Sequence, residues 1–426
     1  MMKIVGIAAM CTGSGKTTAT GAILSAVPNS IQIKIGPDFI DPLVEAKISG
    51  RHGYNLDRWL QGKLERNIIE YASEKADFAV AEGVMGLYDS GVGKEFSTIA
   101  YFERLKIPYI LVVDMFKWAE SVYFAAKGFI KKGCLGVILN NYAGERHLKM
   151  VEDVFIAHGV RIIGKIPHRE EFKMNERHLG LSLDLNSREM VGRSKEIASY
   201  IDLSFIDELP EIEKNHSGMK DEVREKNVYI AKDDAFCFYY ETSLDYLSRM
   251  YSVKFFSPLK DEVPEGADLV YIGGGYPELF SGQLENATKL KQFLKEYARD
   301  GGFLYSECGG TMFLMDSMDY GGRKYEMAGI FTGKTWMEKR PVLNYTEIMS
   351  ESGGPFFRKG QTIYGHEFHY GRIKTPDKTT MKMIRGNGIE GRDGITKNNA
   401  FGMYTHIDFM RYGRDMIWGK KEKFLK

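Results

Sequence analysis

The segment GGFLYSECGGTMFL, residues 301–314, places a cysteine where it could act as a nucleophile. Cys308 ends an apolar run that is typical of a buried strand, and Gly309 and Gly310 follow it, so we expect a sharp turn there. The N-terminus of a following helix would lower the pKa of the thiol, as nucleophilic attack requires. The N–H of Gly309 and the segment Gly273–Gly275 would supply donors for a developing oxyanion. The pattern predicts a nucleophile elbow at Cys308.

A nucleophilic cysteine also needs a base, and His406 in FGMYTHIDF is the candidate. We expect His406 at the end of a strand. Because residues two apart on a strand share a face, Asp408 could orient His406 as the third member of a catalytic triad. The alternative for Cys308, considered alone, is a packing role, which most single cysteines have.

A second chemical site is predicted near the N-terminus, where GSGKTT follows a predicted strand and precedes a predicted helix. This is the context that a phosphate-binding loop requires. Its backbone N–H groups would surround phosphates, Lys16 would reach the β and γ oxygens, and the Thr17 hydroxyl would bind Mg²⁺. The strict pattern has Gly at position 10, where this chain has Met10. The predicted nucleotide-binding residues of this loop are Gly13, Ser14, Gly15, Lys16, Thr17 and Thr18.

Acidic residues at predicted strand ends extend this site, because Mg²⁺ prefers oxygen ligands and strand carboxyl ends face the ligand crevice of an open α/β sheet. Asp38 and Asp41 lie in KIGPDFIDP, and Glu82 lies in VAEGVMGLYDSG. We predict Thr17, Asp38 and Glu82 as metal ligands, and Asp38 and Asp41 as nucleotide-binding residues. Further candidates are Asp89 and Asp114. The alternative for each acid is a helix cap or a turn.

Two other motifs contain histidine. GHEFHYG, residues 365–371, is spaced H-E-x-H rather than H-E-x-x-H, so we expect a substrate-lining strand or a structural pair instead of a metal site. His178 in ERHLGL could bind a ligand or cap a helix.

These residues need two α/β domains to position them. Apolar runs such as KIVGIAA, FAVAEG, YILVVD, GVILN and RIIGKIP alternate with helix-length stretches over the first 200 residues. This alternation predicts a doubly wound parallel sheet. A charged stretch at 207–227 is the candidate linker, and NVYIAKDD, DLVYIGGG and GGFLYSEC begin a second α/β pattern. The predicted domains are 1–215, with the phosphate loop, and 226–426, with Cys308.

Composition limits the class of protein. The chain has 426 residues, is 43% hydrophobic, and carries a net charge of +1, which gives no reason to expect a nucleic-acid or membrane partner. Its four scattered cysteines, the lack of a signal-peptide pattern and the lack of an 18-residue apolar run predict a cytoplasmic protein. A homodimer is one option for the oligomeric state, which the sequence leaves open.

Taken together, the motifs resemble the cobyrinic acid a,c-diamide synthase family of cobalamin biosynthesis. The resemblance runs end to end and rests on GSGKTT, KIGPDFIDP, NLDRW, EGVMGLYDS, ERHLGL, AKDDAFCFYY, FFSPL, IGGGYPEL, ECGG and GHEFHYG, in that order. It implies a dethiobiotin-synthetase-like ATP domain followed by a class I glutamine amidotransferase domain. It also implies that the a and c acetate carboxylates of cobyrinate are amidated with ATP, Mg²⁺ and glutamine, through acyl phosphate intermediates.

The chain departs from this family at three positions. Ala9 stands where the family's phosphate loop usually begins with glycine, and Asp408 stands where the family commonly has a second histidine. Phe39 stands where relatives often have tyrosine, and this departure leaves the acceptor open. A sister enzyme with nearly the same motifs amidates nickel sirohydrochlorin for coenzyme F430. Cobyric acid synthase differs around the cysteine and lacks GHEFHYG. A non-catalytic P-loop binding protein would leave Cys308 and His406 unexplained.

Overall fold

The computed structural model describes residues 1–172, 187–213 and 226–413. The chain divides into two compact units, Met1–Gly218 and Met219–Lys426. His178 and residues 214–225 of the charged stretch lie outside the described residues.

The N-terminal unit contains a sheet of parallel strands with one antiparallel addition. Its strands are β1 (Met2–Ala9), β2 (Ser30–Ile35), β3 (Tyr54–Leu56), β4 (Phe78–Gly83), β5 (Tyr109–Asp114), β6 (Cys134–Tyr142), β7 (Ile162–Pro167) and β8 (Glu211–Ile212). The strand order is β3-β2-β4-β1-β5-β6-β7, and β8 pairs antiparallel with β1. The apolar runs of the sequence form strands buried on both faces, as parallel sheets require. The predicted strands of this unit are therefore confirmed.

Helices connect these strands, as expected for parallel neighbours. They are α1 (Lys16–Ala26), α2 (Ile40–Ser49), α3 (Arg58–Gln61), α4 (Glu65–Lys75), α5 (Thr98–Leu105), α6 (Ser121–Ala126), α7 (Glu145–Ala157) and α8 (Ser187–Ala198). Strand β4 lies between β1 and β2, so the loops that follow these three strands share one edge of the sheet. The register pairs Ile7 with Glu82 and Lys34 with Glu82. Two ionisable side chains are thereby placed side by side beneath the predicted phosphate loop.

The C-terminal unit has a sheet that is parallel on one side and mostly antiparallel on the other. Its strands are β9 (Asn227–Ala231), β10 (Ser252–Phe256), β11 (Leu269–Ile272), β12 (Phe303–Glu307), β13 (Met315–Tyr320), β14 (Arg323–Glu326), β15 (Phe331–Ser350), β16 (Thr362–Lys374), β17 (Thr379–Arg385), β18 (Arg392–Lys397) and β19 (Ala400–Met403). The order is β10-β9-β11-β12-β19-β18-β17-β15-β13-β14, with β16 paired to β15. Strands β10, β9, β11, β12 and β19 are parallel.

The remaining helices of this unit are α9 (Glu241–Met250), α10 (Ser281–Asn286), α11 (Thr288–Arg299), α12 (Gly309–Leu314) and α13 (Phe409–Tyr412). Alternate residues of β11 enter two different cores, with Val270 and Ile272 on one face and Leu269 and Tyr271 on the other. Both units are mixed α/β, which confirms the predicted fold class. The antiparallel strands of the second unit were not predicted. No helix in the described ranges is long and apolar enough to cross a membrane.

Candidate active sites in the two units

Cys308 occupies a strained turn between β12 and α12. Its backbone has φ 47° and ψ −112°, which non-glycine residues rarely adopt. Its N–H donates to the Met403 carbonyl over 2.7 Å, and its carbonyl accepts from Met312 over 3.1 Å. The thiol contacts the Phe368 carbonyl at 3.6 Å. The sharp turn after β12 is present at Cys308, where it holds the sulfur at the carboxyl edge of the parallel strands.

The glycines that follow Cys308 are required by close packing. A Cβ on Gly309 would lie 2.8 Å from Cδ of Pro277, and one on Gly310 would collide with the Ile272 carbonyl. Neither glycine has positive φ. The segment after β11 therefore packs directly against the start of α12, and only glycine leaves room for it. The turn itself is made by the cysteine, whereas the sequence had suggested that the glycines would make it.

His406 and Cys308 converge on Gly274 in that same segment. A Cβ on Gly274 would collide with Cε1 of His406, and would lie 3.0 Å from its Nε2 and 3.3 Å from Cβ of Cys308. His406 is completely buried, and its backbone exchanges two hydrogen bonds with His366 of β16, of 2.7 and 3.0 Å. The structure thus brings together the predicted nucleophile, the predicted base and the glycine-rich segment.

The carboxylate beside His406 belongs to Glu307. Its Oε2 lies 3.4 Å from Nδ1 of His406. Tyr271 donates to Oε2 over 2.9 Å, Tyr305 donates to Oε1 over 2.8 Å, and the N–H of Ile407 donates to Oε1 over 3.3 Å. Glu307 is 1% exposed. These donors fix a buried carboxylate against Nδ1 of the imidazole, the contact that an orienting acid makes in a catalytic triad.

Asp408 has other contacts. Its carboxylate accepts hydrogen bonds from the hydroxyls of Thr242 and Ser243, and from the N–H of Met410, where it caps α13. The prediction for Asp408 assumed a strand through residue 408, but β19 ends at Met403 and the chain is irregular from there to α13. The argument that residues two apart share a strand face therefore does not hold for His406 and Asp408. The geometry favours Glu307 for the orienting role.

The surroundings of Cys308 keep its thiol protonated. Burial raises the pKa of this thiol, and the charges of Glu278, Glu307 and Glu367 add to the effect, while the N–H of Gly309 opposes it. The sequence had predicted that the N-terminus of α12 would lower the pKa of this thiol, whereas the structure raises it. A base must therefore remove the proton when the cysteine attacks, which makes the convergence with His406 chemically necessary.

The motif GHEFHYG forms part of β16 and lines this site. Burial, together with the neighbouring His406, lowers the pKa of His366 to about 3, so this imidazole is neutral. His369 stacks on Tyr404 at 3.7 Å between ring centroids, and its Nδ1 lies 2.8 Å from the Gly371 carbonyl. Glu367 accepts from Asn387 and Gly388, both backbone donors. The motif has its own polar partners and contributes backbone groups to Cys308 and His406.

The phosphate-loop motif of the N-terminal unit forms a turn directly before α1. Gly13 and Gly15 have φ of 83° and 95°, which glycine adopts without strain. A Cβ on Gly15 would collide with the Asn140 amide, which donates to the Ser14 carbonyl over 3.0 Å. Lys16 lies on the first turn of α1 with its Nζ 3.5 Å from the Cys11 carbonyl. Burial lowers the pKa of Lys16.

A buried ion-pair network lies beneath this loop, centred on Lys34. Its Nζ donates to Glu82 over 2.9 Å and also to Asp41. Glu82 accepts further hydrogen bonds from Thr17 over 2.8 Å and Gln32 over 2.7 Å. Although burial opposes its charge, Glu82 and Asp41 raise the pKa of Lys34. The structure brings Thr17 into contact with Glu82, places Asp41 on the other side of Lys34, and so adds Lys34, which the sequence reasoning missed. The sequence does carry a signal for Lys34, because KIGPDFIDP begins with a lysine that belongs to a predicted buried strand, where a charged side chain needs a partner.

The other predicted acids make local backbone contacts. Asp38 accepts from the N–H of Ile40 over 2.9 Å at the start of α2. Asp89 accepts from Gly86, and Asp114 accepts from Phe116, over 3.0 Å each. Thr18 lies on the first turn of α1. For these acids the structure shows the turn and capping contacts that were the alternative to a ligand role.

The donor chemistry of the loop fits Mg²⁺ with a nucleotide. The Thr17 hydroxyl and the Glu82 carboxylate already meet at 2.8 Å, and Asp41 lies across Lys34 from them. Mg²⁺ commonly uses one or two protein carboxylates, with phosphates and water completing its shell. Among residues 1–172, 187–213 and 226–413, no group of three or more His, Cys, Asp or Glu side chains is arranged to hold a metal alone. The site would therefore need phosphate oxygens to complete the metal shell.

Comparison with known proteins identifies the class of domain in the C-terminal unit. Residues 227–413 match the CobB/CobQ-like glutamine amidotransferase domain, so this unit contains a glutamine amidotransferase domain. Two solved structures, PurLQS from Thermotoga maritima and a glutamine amidotransferase, match 43% and 44% of this chain and 88% and 95% of theirs. Their identities are 14% and 12%, with TM-scores of 0.34 and 0.33.

Similarity to curated relatives covers both units. The chain is 34% identical to the cobyrinate a,c-diamide synthase of Saccharolobus solfataricus, over 96% of this chain and 99% of the relative. For the enzymes of that name from Sulfolobus acidocaldarius and Clostridium acetobutylicum, the identities are 34% and 32%, over 95% and 96% of this chain and 96% and 97% of the relatives. The chain belongs to the cobyrinate a,c-diamide synthase family. This membership confirms the predicted family and the predicted enzyme class, a glutamine-hydrolysing ligase.

Proposed function

We propose that this chain amidates the a and c acetate carboxylates of cobyrinate in cobalamin biosynthesis, in the cytoplasm, with glutamine as nitrogen donor and ATP as energy source. The observation that carries the proposal is the convergence of Cys308 and His406 on Gly274 in a chain 34% identical to cobyrinate a,c-diamide synthases over nearly its whole length. Residues 1–215 would form the ATP-dependent domain and residues 226–426 the glutamine-hydrolysing domain.

In the glutamine-hydrolysing domain, Cys308 would attack the amide carbon of glutamine while His406 takes the thiol proton. The carbon–nitrogen bond then breaks, the proton leaves with ammonia, and water hydrolyses the remaining thioester to glutamate. Glu307 would hold the imidazole orientation and stabilise its charged form. The N–H groups of Gly309, Gly274 and Gly275 would bind the oxyanion, because these glycines flank the sulfur. The N–H of Gly273, which the sequence also suggested, donates to the Tyr239 hydroxyl over 2.8 Å instead. Asp408 would stabilise the start of α13 instead.

In the ATP-dependent domain, the turn of Gly13, Ser14 and Gly15 would bind the phosphates with Lys16, and Thr17 and Glu82 would hold Mg²⁺. ATP would supply the phosphoryl group that turns an acetate carboxylate into an acyl phosphate, from which ammonia displaces phosphate. This domain provides charge and position for that transfer. Lys34 supplies the buried positive charge, and Asp41 and Glu82 fix its ammonium group. Asp38 and Thr18 remain proposed nucleotide-site residues.

The test compares wild type with Cys308→Ser in the presence of ATP, Mg²⁺ and cobyrinate, using either glutamine or ammonium as the nitrogen source. We expect the variant to lose amidation with glutamine and to keep it with ammonium, and the product mass to show two amides. Wild type that amidates nickel sirohydrochlorin but not cobyrinate would replace the acceptor in this proposal. Amidation of neither acceptor from either source would refute it.

A further inference from the structure

Glu278 is a buried acid that the proposed chemistry does not use. It follows β11, in the segment IGGGYPEL that packs against the start of α12. The residue is 6% exposed, and its Oε2 has no hydrogen-bond partner among the described residues. A carboxylate in this situation is costly, because burial penalises its charge and the hydrogen bond from its own backbone N–H offsets that penalty only in part. Burial accordingly raises the pKa of Glu278 to about 7.

This carboxylate lies in the immediate neighbourhood of the nucleophile. Pro277, the residue before it, leaves no room for a side chain on Gly309, the residue after Cys308. After burial and the opposing N–H of Gly309, the charge of Glu278 is the next cause acting on the pKa of the Cys308 thiol, ahead of Glu307 and Glu367. Glu278 also acts on Tyr320 of β13. The Glu278 carboxylate is thus close enough to the thiol for its negative charge to oppose thiolate formation.

A cation bound to Glu278 would offset the burial of its negative charge, and would also weaken the effect of that charge on the Cys308 thiol. Glutamine carries one cationic group, its α-ammonium, and a short methylene chain separates this group from the amide carbon that Cys308 attacks. The other charged group of glutamine is a carboxylate, which Glu278 would repel. We propose that the Glu278 carboxylate binds the α-ammonium group of glutamine, and so selects glutamine over amides that lack an α-amino group. This inference rests on the proposed hydrolysis of glutamine by Cys308.

Binding of the ammonium group to Glu278 would also change the reactivity of Cys308. When the ammonium group neutralises Glu278, one cause of the raised thiol pKa is removed, so the sulfur becomes easier to deprotonate once glutamine is bound. Cys308 would then react more readily with its substrate than with small electrophiles of similar intrinsic reactivity. The negative charge of Glu278 would therefore couple the binding of glutamine to the activation of Cys308.

The experiment measures alkylation of Cys308 by 6-diazo-5-oxo-L-norleucine, a glutamine analogue with an α-amino group, and by iodoacetamide, which has none. Rate constants come from mass spectrometry of the Cys308 peptide in the full-length protein. The variants are Glu278→Gln, which keeps the side-chain volume, and Glu265→Gln as control. Glu265 is exposed and precedes β11, at the opposite end of the strand from Glu278.

We expect Glu278→Gln to lower the rate ratio of the diazo ketone to iodoacetamide about 10- to 100-fold, the usual effect of losing a charge-assisted hydrogen bond. Glu265→Gln should leave this ratio unchanged. A merely structural role for Glu278 would change both rates together. An unchanged ratio in Glu278→Gln, with wild type alkylated rapidly by the diazo ketone, would overturn the inference and leave the proposed function standing.

A second measurement uses wild type alone and therefore does not depend on the folding of a variant. It compares hydrolysis of L-glutamine with that of glutaramate, the same amide without the α-amino group. We expect kcat/KM to be at least tenfold higher for glutamine. Equal values would overturn the inference. Hydrolysis of neither amide, together with no alkylation of Cys308 by the diazo ketone, would instead refute the proposed function.

Discussion

The position of Glu307 makes a prediction that separates the two acids near His406. The change is Glu307→Gln, which preserves size and removes the negative charge beside the imidazole. Glu307 holds its place through Tyr271, Tyr305 and the N–H of Ile407, so the amide can occupy the same space. We expect glutamine hydrolysis to fall in kcat, while KM changes little, because the lost interaction develops only when His406 becomes charged.

The size of the effect follows from the contact. A hydrogen bond to a charged group contributes about 1.5–3 kcal/mol, against about 0.5–1.5 kcal/mol for a neutral one. The loss is therefore about 1–2 kcal/mol, or roughly 5- to 30-fold in kcat. The 3.4 Å separation of Nδ1 and Oε2 is long for a strong charged pair, so we expect less than the roughly 10⁴-fold loss known for the serine protease acid.

The assay measures glutamate released from glutamine in the presence of ATP and cobyrinate, and amidation from ammonium in parallel. Asp408→Asn is the matched control, since it removes the other buried carboxylate considered for His406, which follows this histidine by two residues. Its contacts are to Thr242, Ser243 and Met410, so we expect a loss of stability of about 1–3 kcal/mol and a small change in kcat. Amidation from ammonium should survive in both variants.

The reasoning would be refuted by the reverse pattern. If Asp408→Asn lowers kcat 30-fold or more while the protein stays folded, and Glu307→Gln leaves kcat unchanged, then the acid that serves His406 is Asp408. The original sequence expectation would then be correct, and the contact between Glu307 and His406 would have no catalytic role.

Three further changes test other parts of the structure. Lys34→Met should abolish amidation from ammonium and lower the free energy of unfolding by about 3–5 kcal/mol in a denaturant titration, because Asp41 and Glu82 lose their buried cation. The surface control Lys149→Met should leave the free energy of unfolding almost unchanged, because its ion pair with Asp153 is exposed to solvent; equal losses in the two variants would contradict the network. Gly274→Ala should reduce glutamine hydrolysis at least tenfold, because the new Cβ would displace His406. The control Gly282→Ala should not, because a Cβ on Gly282 would lie 3.9 Å from Cε1 of Tyr325, an ordinary contact distance. Because Gly274→Ala disturbs only the glutamine-hydrolysing site, amidation from ammonium should be unchanged in this variant. Glu278→Gln should raise Tm at pH 8 but not at pH 5. A carboxyl whose pKa rises from 4.5 to about 7 on folding makes the wild type less stable as pH increases through that interval. A Tm difference between Glu278→Gln and wild type that is the same at pH 5 and pH 8 would contradict the raised pKa of Glu278.

The parallel parts of both sheets were predictable because buried parallel strands are short, continuous apolar runs. FAVAEG and YILVVD became β4 and β5, and GGFLYSEC became β12 followed by the turn at Cys308. The antiparallel part was not predictable in this way. Strand β15 runs for 20 residues through MEKRP, and its pairing with β16 shifts between Met337 and Val342, so no regular alternation marks it.

The missed site residues had physical reasons as well. Lys34 lies inside a strand whose other residues are buried, and its role depends on β4 lying next to β2, which sequence order does not reveal. Glu307 immediately precedes the predicted nucleophile, but its contact with His406 depends on β12 and β19 being neighbours. The role predicted for Asp408 requires the strand to continue beyond Met403, where β19 ends.

The backbone of Cys308 has a consequence for how this site can change over time. A non-glycine residue in such a conformation costs about 1–3 kcal/mol, and glycine would adopt it freely. Replacement of Cys308 by glycine could therefore increase the stability of the protein and at the same time remove the nucleophilic sulfur. Populations selected only for heat tolerance, and fed ammonium, should drift toward glycine at residue 308. Keeping the cysteine requires continued dependence on glutamine as the nitrogen supply.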